Sequence, residues 1–88
     1  MQKTLLLTGA AGYIGSHAVV AFEQAGYKTV ILDNLSNSSR SSLEGITKIL
    51  GYTPDFYEGD IRDESFLVSV FERYLFDGVI HFAGLKAV

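Results

Sequence analysis

The stretch Thr8-Gly9-Ala10-Ala11-Gly12-Tyr13-Ile14-Gly15 closes an apolar run, Leu5-Leu6-Leu7, and opens an amphipathic one. Three glycines at this spacing leave few options for the chain. Gly9 permits a sharp exit from a strand, Gly12 has no Cβ to keep a ligand away from the backbone, and Gly15 lets a following helix approach a sheet closely. A helix that starts there presents unpaired N–H groups and the positive end of its dipole, which together suit a phosphate. The turn therefore predicts a strand, an anion-binding bend and a helix, with the main-chain N–H groups of Tyr13 and Ile14 at the helix start.

A glycine turn alone is compatible with any strand-to-helix junction. The dinucleotide-binding version needs, in addition, an acidic residue about 20 positions further on, at the end of the next strand. Asp33 stands there, directly after Val30-Ile31-Leu32. A carboxylate at that place accepts hydrogen bonds from the adenosine ribose hydroxyls and repels a 2′-phosphate, so NAD is favoured over NADP. Arg40, in the loop that follows, is the type of residue that meets a 2′-phosphate and keeps NADP open.

The remaining chain repeats the alternation. Thr4 to Leu7 reads as a strand covered on both faces, and Tyr13 to Ala25 as a helix with Ile14, Ala18, Ala21, Phe22 and Ala25 on one stripe, ended by Gly26. Thr29 to Leu32 is the second strand. A polar loop from Asn34 to Arg40 precedes a helix with Ser41 and Glu44 spaced as a capping box and Leu43, Ile46, Ile49 and Leu50 as its apolar side. Phe56-Tyr57 is a brief third strand that ends near Glu58-Gly59-Asp60. Asp63 is placed to cap a third helix carrying Phe66, Leu67, Val70, Phe71 and Tyr74, and Val79 to Phe82 is a fourth strand. Helices between successive strands, with right-handed crossovers, predict an α/β fold: the βαβαβαβ portion of a doubly wound, Rossmann-type parallel sheet in the order 3-2-1-4. Such a domain has two halves, and 88 residues supply one, so residues 1–88 read as the N-terminal part of a dinucleotide-binding domain.

Composition narrows the partners. The net charge is −3 and the basic residues are scattered, which argues against a nucleic-acid groove or an anionic membrane surface. There is no cysteine, hence no disulfide, thiolate chemistry or Cys-ligated zinc, in keeping with a reducing cytoplasm. The two histidines, His17 and His81, lie far apart in sequence and make no metal-ligand cluster; each is expected to be packed or hydrogen-bonded, His81 within a buried strand. No segment approaches the roughly 20 apolar residues of a membrane span.

Further candidates lie at the ends of the third and fourth strands, on the edge where ligands of open parallel sheets bind. Asp60 can accept from the exocyclic amine of adenine while the Ile61 N–H reaches a ring nitrogen; it can equally cap the third helix. Phe82-Ala83-Gly84 offers small residues for close approach to a cofactor, and Lys86 an ammonium group beyond them.

Taken together, Thr8 to His17, Leu32 to Ser38, Glu58-Gly59-Asp60-Ile61-Arg62 and Val79 to Val88 resemble the opening of the UDP-glucose 4-epimerase family, among the extended short-chain dehydrogenases/reductases. Related nucleotide-sugar dehydratases share the glycine turn but have a different last block from His81-Phe82-Ala83-Gly84-Leu85-Lys86. The resemblance covers nearly all of this chain and about the first quarter of such an enzyme. It implies bound NAD, hydride removal from C4 of a UDP-hexose, and return of hydride to the opposite face of the 4-keto sugar, in a cytoplasmic homodimer of galactose metabolism. It assigns Tyr13 and Ile14 to the pyrophosphate, Asp33 and Asn34 to the ribose, Asn37 and Ser38 to the adenosine side, and Asp60 and Ile61 to adenine. Phe82, Ala83, Gly84 and Lys86 would line the nicotinamide half. The family's acid–base pair is Tyr-x-x-x-Lys, in which lysine lowers the tyrosine pKa. None of the five tyrosines here has lysine four positions on, so no catalytic residue is assigned. A nucleotide-sugar dehydratase or decarboxylase, a non-catalytic NAD-sensing module and an S-adenosylmethionine-binding domain use similar glycines and remain open.

Overall fold

Leu6 and Leu7 are both buried, and so are Val30, Ile31 and Leu32. Neighbouring residues of an extended chain point to opposite faces, so both faces of the sheet are covered. The computed structural model of the chain describes residues 2–9, 13–34, 40–60 and 62–82. Its elements are β1 (Thr4–Thr8), α1 (Tyr13–Gln24), β2 (Lys28–Asp33), α2 (Arg40–Leu50), β3 (Asp55–Glu58), α3 (Glu64–Arg73) and β4 (Gly78–His81).

The strands form one four-stranded sheet in the order β3-β2-β1-β4. Every pairing is parallel, with Thr8 opposite both Leu32 and His81, and Asp33 opposite Glu58. The predicted alternation and order are those found.

One face of the sheet carries α1 and α2: Leu7 and Ile31 pack with Val19, Leu43 and Ile46. The other carries α3, where Leu6, Val30 and Leu32 pack with Val70. This split follows from the strand order. The chain steps outward from β1 to β3 with helices on one side, then returns past β1 to β4, and a right-handed return places α3 on the opposite side. Full burial of each such side chain contributes roughly 1.5–3 kcal/mol.

The helix faces depart from the sequence pattern in three places. In α1, Val19 is fully buried and Ala18 and Phe22 pack beside it, whereas Ile14 is 55 % exposed and Ala21 is exposed. The buried side therefore runs through Gly15, Ala18, Val19 and Phe22, a rotation away from the Ile14–Ala21–Ala25 stripe. With Ile14, Val19, Val20 and Phe22 on different sides, α1 is apolar around most of its circumference, so the closest approach to the sheet sets its phase. Ile49 on α2 and Phe71 on α3 also face outward, at 62 % and 46 % exposure, and Phe71 lies edge-on to Phe76 with ring centroids 5.3 Å apart. α2 begins at Arg40, so Ser41 stands inside the first turn and not at its cap.

Two terminations are as expected. Gly26, with φ at 97°, follows α1, and its N–H donates to the carbonyl of Glu23 at 3.1 Å. Asp63 caps α3, its carboxylate accepting from the Phe66 N–H at 3.2 Å. At the amino edge of the sheet, Glu23 ties three segments. One carboxylate oxygen accepts from the N–H and the hydroxyl of buried Thr29, each at 2.6 Å, and the other from the Tyr52 hydroxyl at 2.6 Å.

Candidate functional site

The carboxyl ends of the strands bring the candidate residues together. In the register, Thr8 lies beside Leu32 and His81, and Asp33 beside Glu58. Gly9, Asp33, Asp60 and Phe82, which follow or end these strands, therefore share one edge. The strand order reverses between β1 and β4, and that junction is where open α/β sheets form a ligand crevice.

The hydrogen-bond ladder extends past the strands along this edge. The Gly9 N–H donates to the Leu32 carbonyl at 2.7 Å, the Gly59 N–H to the Asp33 carbonyl at 3.0 Å, and the Phe82 N–H to the Thr8 carbonyl at 2.7 Å. Thr8 Oγ1 and His81 Nδ1 are hydrogen-bonded at 2.5 Å. His81 is thus held across β1 and β4 as expected, and its side chain is exposed, β4 having no further strand beside it among the described residues.

Gly9 has φ of 71°, a left-handed conformation that costs an ordinary L-residue and suits glycine. Its own N–H is spent on β2, so Gly9 steers the chain and offers no donor to a phosphate. The donors in place are those of α1, which opens at Tyr13, since the first turn of a helix leaves its N–H groups without intrahelical partners. Gly15 is buried two residues on. Asp33 closes β2, only 8 % exposed, and Asn34 follows it, exposed.

Asp60 follows β3 in a turn. Its carbonyl accepts from the Asp63 N–H at 3.0 Å, and its carboxylate is gripped by Arg62. The capping alternative for Asp60 is overturned, since Asp63 fills that position. The guanidinium hydrogen bonds hold the Asp60 carboxyl well below the ordinary carboxylate range, at about 2, so it is ionised throughout the neutral range.

Of the remaining candidates, Phe82 is half-buried and packs against the cluster of Leu7 and Ile31. Gly12, Asn37, Ser38, Ile61, Ala83, Gly84 and Lys86 lie outside the described residues. Two features escaped the sequence reading: the Arg62 grip on Asp60, for which the Asp-x-Arg spacing was the available signal, and the Thr8–His81 bond, which only the strand register reveals.

The tyrosines do not assemble a base. Tyr57 and Tyr74 hydroxyls meet at 2.9 Å, and Tyr74 donates to Asp55 at 2.7 Å; Asp55 opens β3 and so lies at the far edge of the sheet. Burial, then the hydrogen bonds to Tyr57 and Asp55, push the Tyr74 phenol well above its ordinary value, which keeps it protonated. Among the described residues there is no group of three or more His, Cys, Asp or Glu able to hold a metal ion, and no helix long and apolar enough to cross a membrane.

The rim has a steric limit at Gly59. A Cβ there would meet the Phe66 ring at 2.3 Å. Gly59→Ala is therefore expected to cost about 1–3 kcal/mol, read as a lower urea midpoint, and to cost clearly less in a Phe66→Leu background. An equal cost in both backgrounds would show that the ring is not the obstacle.

The pattern of the NAD dependent epimerase/dehydratase family matches residues 5–88. The UDP-glucose 4-epimerases of Yersinia pestis and Erwinia amylovora are 57 % identical over 84 residues and 55 % over 85, covering 96 % and 97 % of this chain. This chain spans 25 % of the length of either relative. Among solved structures, the Bifidobacterium longum UDP-glucose 4-epimerase in complex with NAD+ and UDP superposes with a TM-score of 0.91 at 44 % identity, over 98 % of this chain and 26 % of that one. The Stenotrophomonas maltophila enzyme, with bound NAD and formylated UDP-arabinopyranose, gives 0.90 at 45 % identity, over 99 % and 26 %. A left-handed glycine after β1, an acidic end to β2 and a sheet reversing beside β1 thus recur with the family's own sequence pattern over nearly the whole length, and the chain belongs to the NAD dependent epimerase/dehydratase family.

Proposed function

We propose that residues 1–88 are the N-terminal part of the NAD-binding domain of a UDP-glucose 4-epimerase, which interconverts UDP-galactose and UDP-glucose in galactose metabolism. The observation that carries the reading is the 57 % identity to such an enzyme over 84 residues, combined with an NAD-type edge in the fold.

The residues present fit the cofactor. Gly9 leaves β1 without a side chain over the rim, and the start of α1 directs the N–H groups of Tyr13 and Ile14 to the pyrophosphate. Asp33, with Asn34 beside it, accepts from the adenosine ribose hydroxyls, and its charge disfavours a 2′-phosphate. Asp60 takes the adenine amine with the Ile61 N–H on a ring nitrogen, while Asn37 and Ser38 close the adenosine side. Phe82, Ala83, Gly84 and Lys86 line the nicotinamide half. Bound NAD supplies the hydride acceptor and donor for C4 of the sugar. This chain contributes binding and orientation, and the proton-transferring tyrosine belongs to another part of the enzyme, since none of the five tyrosines has a lysine four residues on. The absence of cysteine fits a cytoplasmic setting, and a homodimer is the assembly proposed for the whole enzyme.

The full-length protein is expected to convert UDP-galactose to UDP-glucose, whereas the 88-residue chain alone is expected to give no turnover. Formation of a dehydrated or decarboxylated sugar by the full-length protein would replace the epimerase assignment. Turnover by the 88-residue chain would refute the placement of the acid–base group elsewhere.

A further inference from the structure

Arg62 lies beside Asp60 in the turn after β3 and grips its carboxylate. We propose that it sets the preference for adenine by holding the Asp60 carboxylate in one orientation, an inference that rests on Asp60 accepting from the adenine amine as proposed above.

The grip is multiple. The Arg62 main-chain N–H donates to Asp60 Oδ1 at 2.8 Å, Nε lies 3.1 Å from Oδ1 and 3.2 Å from Oδ2, and an Nη donates to Oδ2 at 2.8 Å. A carboxylate has about four lone-pair sites. Oδ1 accepts the main-chain donor and Nε, whereas Oδ2 accepts one Nη and only a share of Nε. Capacity for one further N–H therefore remains on Oδ2, and a purine amine offers one.

Stability does not account for so complete a pairing. The Arg62 side chain is 86 % exposed and that of Asp60 36 % exposed, a setting in which ion pairs contribute little. The turn is secured independently, by the Asp60 carbonyl on the Asp63 N–H and by the Asp63 cap on α3. What the guanidinium adds is direction. A fixed acceptor loses no rotamer freedom when its partner arrives, and it faces a donor and an acceptor differently. Removing the side chain leaves a single main-chain tether about which the carboxylate plane can turn. Lysine cannot replace the fork, because an ammonium is a point charge without planar, bidentate geometry.

The test compares NAD with its deaminated analogue, in which hypoxanthine presents a carbonyl where adenine has the amine. Calorimetric titration of the full-length protein as wild type, R62A, R62K and D60A gives four affinity ratios, with thermal midpoints recorded to show that each variant is folded. Wild type is expected to prefer NAD by about tenfold or more, and D60A defines the preference left to the Ile61 N–H. Both R62A and R62K are expected to fall to the D60A ratio. Any long-range effect of losing the Arg62 charge acts on the phosphates of both ligands alike and cancels in the ratio. R62A retaining the wild-type ratio, or R62K restoring it, overturns the proposal. A wild-type ratio no higher than that of D60A instead removes Asp60 from adenine recognition, and the proposal with it, while leaving NAD binding itself intact.

Discussion

Asp33→Ala in the full-length protein is expected to weaken NAD binding at least tenfold. A hydrogen bond to a charged acceptor is worth about 1.5–3 kcal/mol, and in the function proposed above Asp33 accepts two from one ribose. The same substitution removes the negative charge that repels a 2′-phosphate, so NADP should lose less than NAD or gain outright. Titration with both dinucleotides separates these effects. Asp33→Asn, which keeps the size but not the charge, should fall between wild type and alanine for NAD. Because Asp33 is buried and its carbonyl holds the Gly59 N–H at 3.0 Å, the thermal midpoint has to be followed in parallel. Unchanged NAD affinity in a folded Asp33→Ala protein would remove the ribose role and, with it, the reason for preferring NAD to NADP.

Ile31→Ala is expected to lower stability by about 2–5 kcal/mol. Ile31 is fully buried on an inner strand and meets Leu7, Val19, Leu43 and Ile46, so its truncation opens a void between the sheet and both helices of that face. That loss is a large fraction of the 5–15 kcal/mol that holds a typical domain together. The check is urea denaturation, where the midpoint should fall with little change in slope. Ile49→Ala, at a position 62 % exposed, should move it by no more than about 0.5 kcal/mol. Comparable shifts for the two isoleucines would contradict the core described above.

The order of elements and the sheet topology were legible because each signal was local. A glycine turn, an acidic strand end and apolar runs separated by helical periods leave one right-handed arrangement, and β3-β2-β1-β4 is it. The phase of α1 was not legible. Ile14, Val19, Val20 and Phe22 lie on different sides of the helix, so hydrophobicity alone chooses no face, and contact with the sheet at Val19 decides it. The exposure of His81 follows from the order 3-2-1-4 itself, which leaves β4 outermost among the described residues. At the site, Gly9 and Asp33 could be placed from spacing alone. The two readings of Asp60 could not be separated until Asp63 was seen capping α3, which frees Asp60 for the turn and for Arg62.

The three main-chain bonds that lash Gly9 to Leu32, Gly59 to Asp33 and Phe82 to Thr8 have a thermodynamic corollary. A mouth stitched in this way exists before any guest arrives, so little of the guest's interaction energy is diverted into assembling it. Association with such a rim forfeits little to ordering the protein side.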